Sequence, residues 1–327
     1  MSNSGHKNPN QQVFQENVKN NADVSGQQQT DTSEVYFWGS NQHGQLGVDN
    51  NDYSDCLLYP KLMRYPTTIL KISCGFEHSF FLTNEKQIYC MGNNGYGQLG
   101  FTFNVTKRNS PTLVRGSLGT ESFDDIECGG YHTIAVVNNC TKLIAWGRND
   151  HSQCGTGNID EKVKPNVIKL LQIHRKNFPE DKNVKIAKIS GGQIHSGAVL
   201  DNGDAYCWGA NDFGQCGSRP MEDFDEGTPI INFTPQRAEF DQEAVSIACG
   251  YTQTLFLTSA GEVYASGNNE NGQLGVNIEE DFIFEPQFVE FEKDQQEFVR
   301  SIECSNFSSL ITNHNNLYIW GCTPNGL

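Results

Sequence analysis

Three histidines stand at one phase of a repeated pattern: His78, His132 and His195. They lie in KISCGFEHSFFLT from Lys71, DIECGGYHTIAVV from Asp125 and KISGGQIHSGAVL from Lys188. Two further copies, SIACGYTQTLFLT from Ser246 and SIECSNFSSLITN from Ser301, put Gln253 and Ser308 in the same place. A ring of imidazoles could hold a metal or pass protons. Glutamine and serine can replace a hydrogen bond but not a set of metal ligands. The histidines therefore read as structural, each imidazole bonding a neighbouring backbone group at its turn. No Ser/His/Asp order, phosphate loop or H-E-x-x-H motif stands out, so no catalytic residue, metal or cofactor is expected.

The thiols follow the same periodicity. Of the eleven cysteines, Cys74, Cys128, Cys249 and Cys304 share one phase, with Gly191 in the remaining copy. Cys154 and Cys216 stand where other copies carry leucine. A cysteine that alternates with leucine or glycine behaves as a small buried hydrophobe. With an odd count and no C-x-x-C, reduced structural thiols are expected, and with them an intracellular protein, cytoplasmic or nuclear.

The elements that position these residues come from a second pattern. It reads VYFWGSNQHGQLG from Val35, IYCMGNNGYGQLG from Ile88 and LIAWGRNDHSQCG from Leu143. It continues with AYCWGANDFGQCG from Ala205, VYASGNNENGQLG from Val263 and LYIWGCTPNGL from Leu317. Its glycines, Gly39, Gly92, Gly147, Gly209, Gly267 and Gly321, are 53, 55, 62, 58 and 54 residues apart. Such a period, with strand-type residues throughout, denotes a supersecondary unit that cannot bury its own apolar face alone. Polar turns join the two patterns, and Asn202–Gly203 is the strongest two-residue hairpin signal because both residues accept positive φ. A proline segment ends each period, at Pro60, Pro111, Pro165, Pro235 and Pro286. Proline cannot donate to a central ladder, so this strand is outermost. Four short strands per period describe a propeller blade. Glycine after tryptophan suits a positive φ or a close approach, and the tryptophans suit packing between blades.

The alternation of C-G-x-x-H-S/T with W-G-x-N-x-x-G-Q-L-G resembles the repeat of the regulator of chromosome condensation family, over roughly residues 35 to 327. The resemblance implies an all-β, seven-bladed propeller of four-stranded blades. This chain carries six copies of one half-pattern and five of the other. The expectation is therefore an incomplete array, about five full blades with partial ends, truncated at the C-terminus. The family's best-known activity is guanine nucleotide exchange on the small GTPase Ran, with acidic residues before the histidine in early turns. The corresponding pairs here are Phe76–Glu77, Gly130–Tyr131, Gln193–Ile194, Tyr251–Thr252 and Asn306–Phe307. Only Glu77 is acidic, which weighs against exchange activity. What remains on that rim is an apolar and aromatic set suited to a protein partner.

Composition bounds the partners. The formal net charge is −16, and no cluster of lysines and arginines is dense enough for phosphate binding, so direct nucleic-acid binding is not expected. No apolar run reaches membrane-spanning length. Residues 1–34 hold twelve Asn or Gln residues and few apolar ones, and read as a disordered tail before the array at 35–327. Two spacers are irregular. VIKLLQIHRKNF suits a short helix or an outer hairpin. Met221–Glu222–Asp223–Phe224–Asp225–Glu226 is an acidic loop that, if not merely solvated, would attract a basic partner. The sequence thus points to a non-enzymatic interaction scaffold. The alternative is an exchange factor for a small GTPase. The candidate partner rim comprises Phe76, Glu77, Tyr131, Gln193, Ile194, Tyr251, Thr252 and Phe307.

Overall fold

The computed structural model describes residues 32–48, 55–115, 118–220, 228–294 and 296–321. A two-stranded sheet of β1 (Ser33–Ser40) and β2 (Cys56–Tyr65) comes first. Blade 1 holds β3 (Ile69–Cys74), β4 (His78–Thr83), β5 (Ile88–Asn93) and β6 (Lys107–Leu113). Blade 2 holds β7 (Phe123–Cys128), β8 (His132–Val137), β9 (Lys142–Arg148) and β10 (Lys162–Ile168). After α1 (Leu170–Asn177), blade 3 holds β11 (Ile186–Gly191), β12 (His195–Leu200), β13 (Ala205–Ala210) and β14 (Ile231–Arg237). Blade 4 holds β15 (Ala244–Cys249), β16 (Gln253–Thr258), β17 (Val263–Asn268) and β18 (Phe282–Phe288). In blade 5, β19 (Val299–Cys304), β20 (Phe307–Thr312) and β21 (Leu317–Gly321) are described. Blades 1 to 4 are thus antiparallel four-stranded meanders. Among the described residues β1 pairs only with β2, and β21 only with β20.

Position in a blade dictates composition. The innermost strands β3, β7, β11, β15 and β19, together with β1, wall a central channel of about 1240 Å³. The second strands β4, β8, β12 and β16 are buried at every residue, because a neighbouring blade covers each face. The proline strands β6, β10, β14 and β18 are outermost, as the missing N–H of proline requires.

The cores lie between blades. Phe80, Leu82 and Leu99 of blade 1 pack with Ile126, Val137 and Trp146 of blade 2. The same arrangement recurs from blade 2 to 3, 3 to 4 and 4 to 5, and from the β1–β2 sheet to blade 1. Truncating one of these large aromatics to alanine costs about 3–5 kcal/mol.

Three expectations need amending. Strand β1 opens at Ser33, so the boundary at residue 35 cuts a strand; Ser33 is held because its hydroxyl accepts the Ile69 N–H at 2.8 Å. At Asn202–Gly203 only the glycine has positive φ, 92°. Gly203 N–H bonds the Leu200 carbonyl and Leu200 N–H bonds that of Asp204. The connection is therefore a three-residue loop with a glycine bulge, not the two-residue turn. The third spacer forms helix α1. Buried Leu170, Leu171 and His174 fix it to blades 2 and 3, which excludes an outer hairpin. The acidic loop at 221–226, residues 1–31 of the tail and the C-terminal 322–327 lie outside the described residues.

Candidate functional site

Each C-G-x-x-H turn joins the first and second strands of a blade, and all of them fall on one rim. Each W-G loop reaches the same rim from the third strand. A chain of backbone hydrogen bonds ties successive turns together from blade 1 to blade 5. Phe76 N–H bonds the Gly130 carbonyl, Gly130 N–H that of Gly192, Gln193 N–H that of Gly250, and Tyr251 N–H that of Ser305, all at 2.9–3.1 Å. The turn residues are therefore held in fixed positions around the channel mouth.

The histidines face inward and away from solvent. His78 Nε2 lies 3.1 Å from Thr133 Oγ1, His132 Nε2 2.7 Å from Ser196 Oγ, and His195 Nε2 2.9 Å from Thr254 Oγ1. The partner is a hydroxyl on the next blade, not a backbone group at the same turn. Each hydroxyl donates its one proton back to a carbonyl of the histidine's own blade: Thr133 to Gln98, Ser196 to Gln153, Thr254 to Gln215. The imidazole must then donate from Nε2–H, which fixes the tautomer. Burial lowers all three imidazoles to about pKa 3, so they are neutral at pH 7. Where Gln253 replaces histidine, its Nε2 bonds the Ser305 carbonyl at 3.1 Å.

The repeat glycines serve this packing. All six W-G glycines have φ between 101° and 119°. A Cβ on Gly92 would collide with the Glu77 carbonyl oxygen and with His78. The thiols are inert for a related reason. Cys74, Cys128, Cys249 and Cys304 are free, and burial pushes each of them up, Cys74 and Cys249 to about 12.

The residues just before the histidine behave differently. Phe76, Tyr131 and Tyr251 are half-buried and meet over the channel although they come from three blades. The Phe76 ring is edge-on to Tyr131 at 5.3 Å and stacked with Tyr251 at 5.9 Å. Gln193 and Phe307 line the same mouth. Glu77 is engaged rather than free: it accepts from Asn93 Nδ2 at 2.7 Å, and its other oxygen lies 3.5 Å from the Tyr131 hydroxyl and 3.4 Å from His43 Nε2. Ile194 and Thr252 are half-buried, and their carbonyls accept from Ala210 and Asn268 of the third strands. The aromatic residues thus form one cluster, and Ile194 and Thr252 stand behind it.

Sequence reasoning missed the outer half of this site. Tyr96 packs on Tyr131 at 5.5 Å. The Arg148 guanidinium lies over both rings, 5.3 and 5.8 Å from their centres, and grips Asp150 through two nitrogens. Lys162 sits over Tyr96. These residues occupy variable positions of the W-G loops, where nothing repeats. Below the mouth, Lys71 Nζ bridges Asp125 at 2.6 Å and Glu127 at 2.5 Å. Burial works against the Lys71 charge, but Glu127 and Asp125 outweigh it and hold its pKa above the ordinary lysine value.

A propeller of tandem four-stranded blades, linked by one repeated polar contact and carrying its variable residues on the rims, is a repeat scaffold. Models of the regulator of chromosome condensation (RCC1) repeat match residues 33–82, 86–136, 142–199, 202–257 and 260–311. A second form of the repeat matches 69–98, 186–215 and 244–273. The chain belongs to the RCC1 repeat family. It is 33% identical over 260 residues to the ultraviolet-B receptor UVR8 of Arabidopsis thaliana, covering 79% of this chain and 54% of that protein. It is 31% identical over 224 residues to the probable E3 ubiquitin-protein ligase HERC4 of Rattus norvegicus, covering 68% of this chain and 20% of the relative. The chain thus spans about half or less of these relatives. In fold it is similar to human WBSCR16, with a TM-score of 0.72 at 22% identity, covering 89% of this chain and 75% of the other. It is also similar to Prp20p of Saccharomyces cerevisiae, described with its binding to Gsp1p and histones, with a TM-score of 0.68 at 20% identity over 90% and 68% of the two chains. No helix among the described residues is long and apolar enough to cross a membrane.

Proposed function

We propose that the chain is a non-enzymatic scaffold inside the cell whose turn-bearing rim docks another protein. One observation carries this reading: aromatic rings from three blades converge, half-exposed, on a mouth whose backbone is cross-linked turn to turn. Rigid aromatics bury much area at little entropic cost, which suits binding anchors. Phe76, Tyr131, Tyr251 and Phe307 are the anchors, with Gln193 beside them. Glu77 positions Tyr131, and Ile194 and Thr252 support the turns from behind. The intracellular setting is supported by ten free cysteines among the described residues.

The test is the triple variant F76A/Y131A/F307A, used as bait beside the unchanged chain. It should retain its melting profile and lose the captured partner. A variant that melts early would show that these rings hold the blades together. Exchange on a small GTPase is a separate question, prompted by the fold shared with Prp20p. The resemblance puts acids in the second and third turns, where this chain has Gly130, Tyr131, Gln193 and Ile194. Loss of charged contacts that act in a transition state costs about 2–4 kcal/mol, or roughly 30- to 1000-fold in rate. Nucleotide release from a Ran-type GTPase should therefore stay at its unstimulated rate in the presence of this chain.

A further inference from the structure

The rim is electrically lopsided. On the side of blades 1 and 2 stand cations: Arg148, paired with Asp150 over two tyrosine rings, and Lys162, over the Tyr96 ring. On the side of blades 3 and 4, an apolar pair is set among acids. Phe213, from the β13–β14 loop, meets Phe282, at the start of β18, with ring centres 5.1 Å apart. Phe282 keeps 42% of its surface exposed on this rim. Around the pair stand Asp212, Glu270, Glu279, Glu280 and Asp281, the last four exposed. Among the described residues no lysine or arginine forms an ion pair with any of these five; Arg219, on the β13–β14 loop, is held by Glu285.

The floor of the same loop has an incomplete bond. Gln215 is fully buried and accepts from Phe213 N–H at 3.0 Å, yet its Nε2 has no partner. The equivalent amide of Gln98 in blade 1 also lacks a partner, whereas Gln45 reaches Ser40, Gln153 reaches Asp150 and Gln273 reaches Asn268.

We propose that the Phe213–Phe282 pair and its carboxylate border form a docking surface for a basic protein segment, one that carries lysines or arginines around an apolar side chain. The apolar side chain would cover Phe282. The cations would replace the neutralising partners that the five carboxylates lack. Charge on such a surface chiefly raises the rate of encounter and sets which partners are accepted, while the aromatic pair provides the hold. This inference rests on the same rim being a partner face, but on a different arc of it.

The test uses the full chain and a short synthetic peptide of lysines and arginines around one leucine, read by fluorescence anisotropy at several salt concentrations. A peptide with glutamine in place of every lysine and arginine is the comparison. The basic peptide should bind saturably and weaken with salt, and the glutamine peptide should not bind. Neutralising the border with E270Q/E279Q/E280Q/D281N should weaken binding by about tenfold or more, and F282S by a similar factor. An equal charge removed from the opposite rim, with D241N/E243Q/E290Q/E292Q, should change affinity by less than about twofold. If the opposite-rim variant weakens binding as much as the border variant, the attraction belongs to the whole molecule and the proposal fails. It also fails if F282S binds as the unchanged chain does. F76A/Y131A separates the two readings, because loss of the natural partner without loss of the peptide places the aromatic mouth and this acidic arc in different roles.

Discussion

The turn that carries His132 also carries Tyr131, and the two residues have opposite fates. His132 is fully buried, neutral and bound to the next blade. Tyr131 is half-exposed and touches Phe76, Tyr96 and Arg148 over the channel mouth. At the start of a strand adjacent side chains point to opposite sides, so one turn can serve the joint between blades and the surface at once. The joint repeats, because every interface needs it. The surface does not repeat, because a partner reads each blade differently.

Acid separates the two most strongly. The three histidines have their folded pKa lowered to about 3 by burial. Below pH 6.5 the unfolded chain takes up protons that the fold refuses. Stability therefore falls as pH drops from about 6.5 towards 3, by about 1.4 kcal/mol per pH unit for each histidine and roughly 4 for the three together. Denaturant titrations from pH 7 to pH 4 should show this slope, and H132Q should make it shallower by about one third. A flat profile over that range would break the comparison.

Substitutions in one turn come next. His132→Ala removes a buried hydrogen bond and opens a cavity, and should cost about 3 kcal/mol by chemical denaturation. Tyr131→Ala, one residue away, should cost less than about 1 kcal/mol. Near-equal losses would mean that the mouth is part of the joint.

An effect smaller than that of His132→Ala lies below the mouth. Lys71→Met leaves Asp125 and Glu127 without their shared cation, and should cost about 1–2 kcal/mol at pH 7 after allowance for partial exposure. The loss should shrink at pH 4. Burial raises the pKa of the Glu127 carboxyl, so it becomes neutral at a higher pH than an ordinary glutamate.

The sequence made the repeating parts legible because they solve the same problem at every interface. The W-G glycines, the proline strands and the turn histidines could all be placed by phase. What phase could not supply was the partner across an interface. Thr133 is 55 residues from His78, and its hydroxyl was visible only as the S/T that follows each histidine. The helix at 170–177 stayed ambiguous because it spans barely two turns, and its burial depends on Tyr206 and Val184 of the following blade. Tyr96, Arg148 and Phe282 were illegible for the opposite reason: they sit where the copies differ. Of the turn pairs, Phe76, Tyr131 and Tyr251 are in ring contact. That Glu77 is tied to Asn93 and Tyr131 could not be read without the fold.

The contact between blades has a direction. From blade 1 to 2, 2 to 3 and 3 to 4, the hydroxyl of the later blade is a pin, and the imidazole and loop carbonyl of the blade before it are the socket, as with Thr133 between His78 Nε2 and the Gln98 carbonyl. Blades 1, 2 and 3 each carry both halves, a pin facing backwards and a socket facing forwards. A stretch of DNA that encodes one such blade, copied in tandem, would insert a unit that fits its predecessor and accepts its successor with no other residue altered. Growth by duplication is then built into the joint, and the rims are left free to diverge copy by copy.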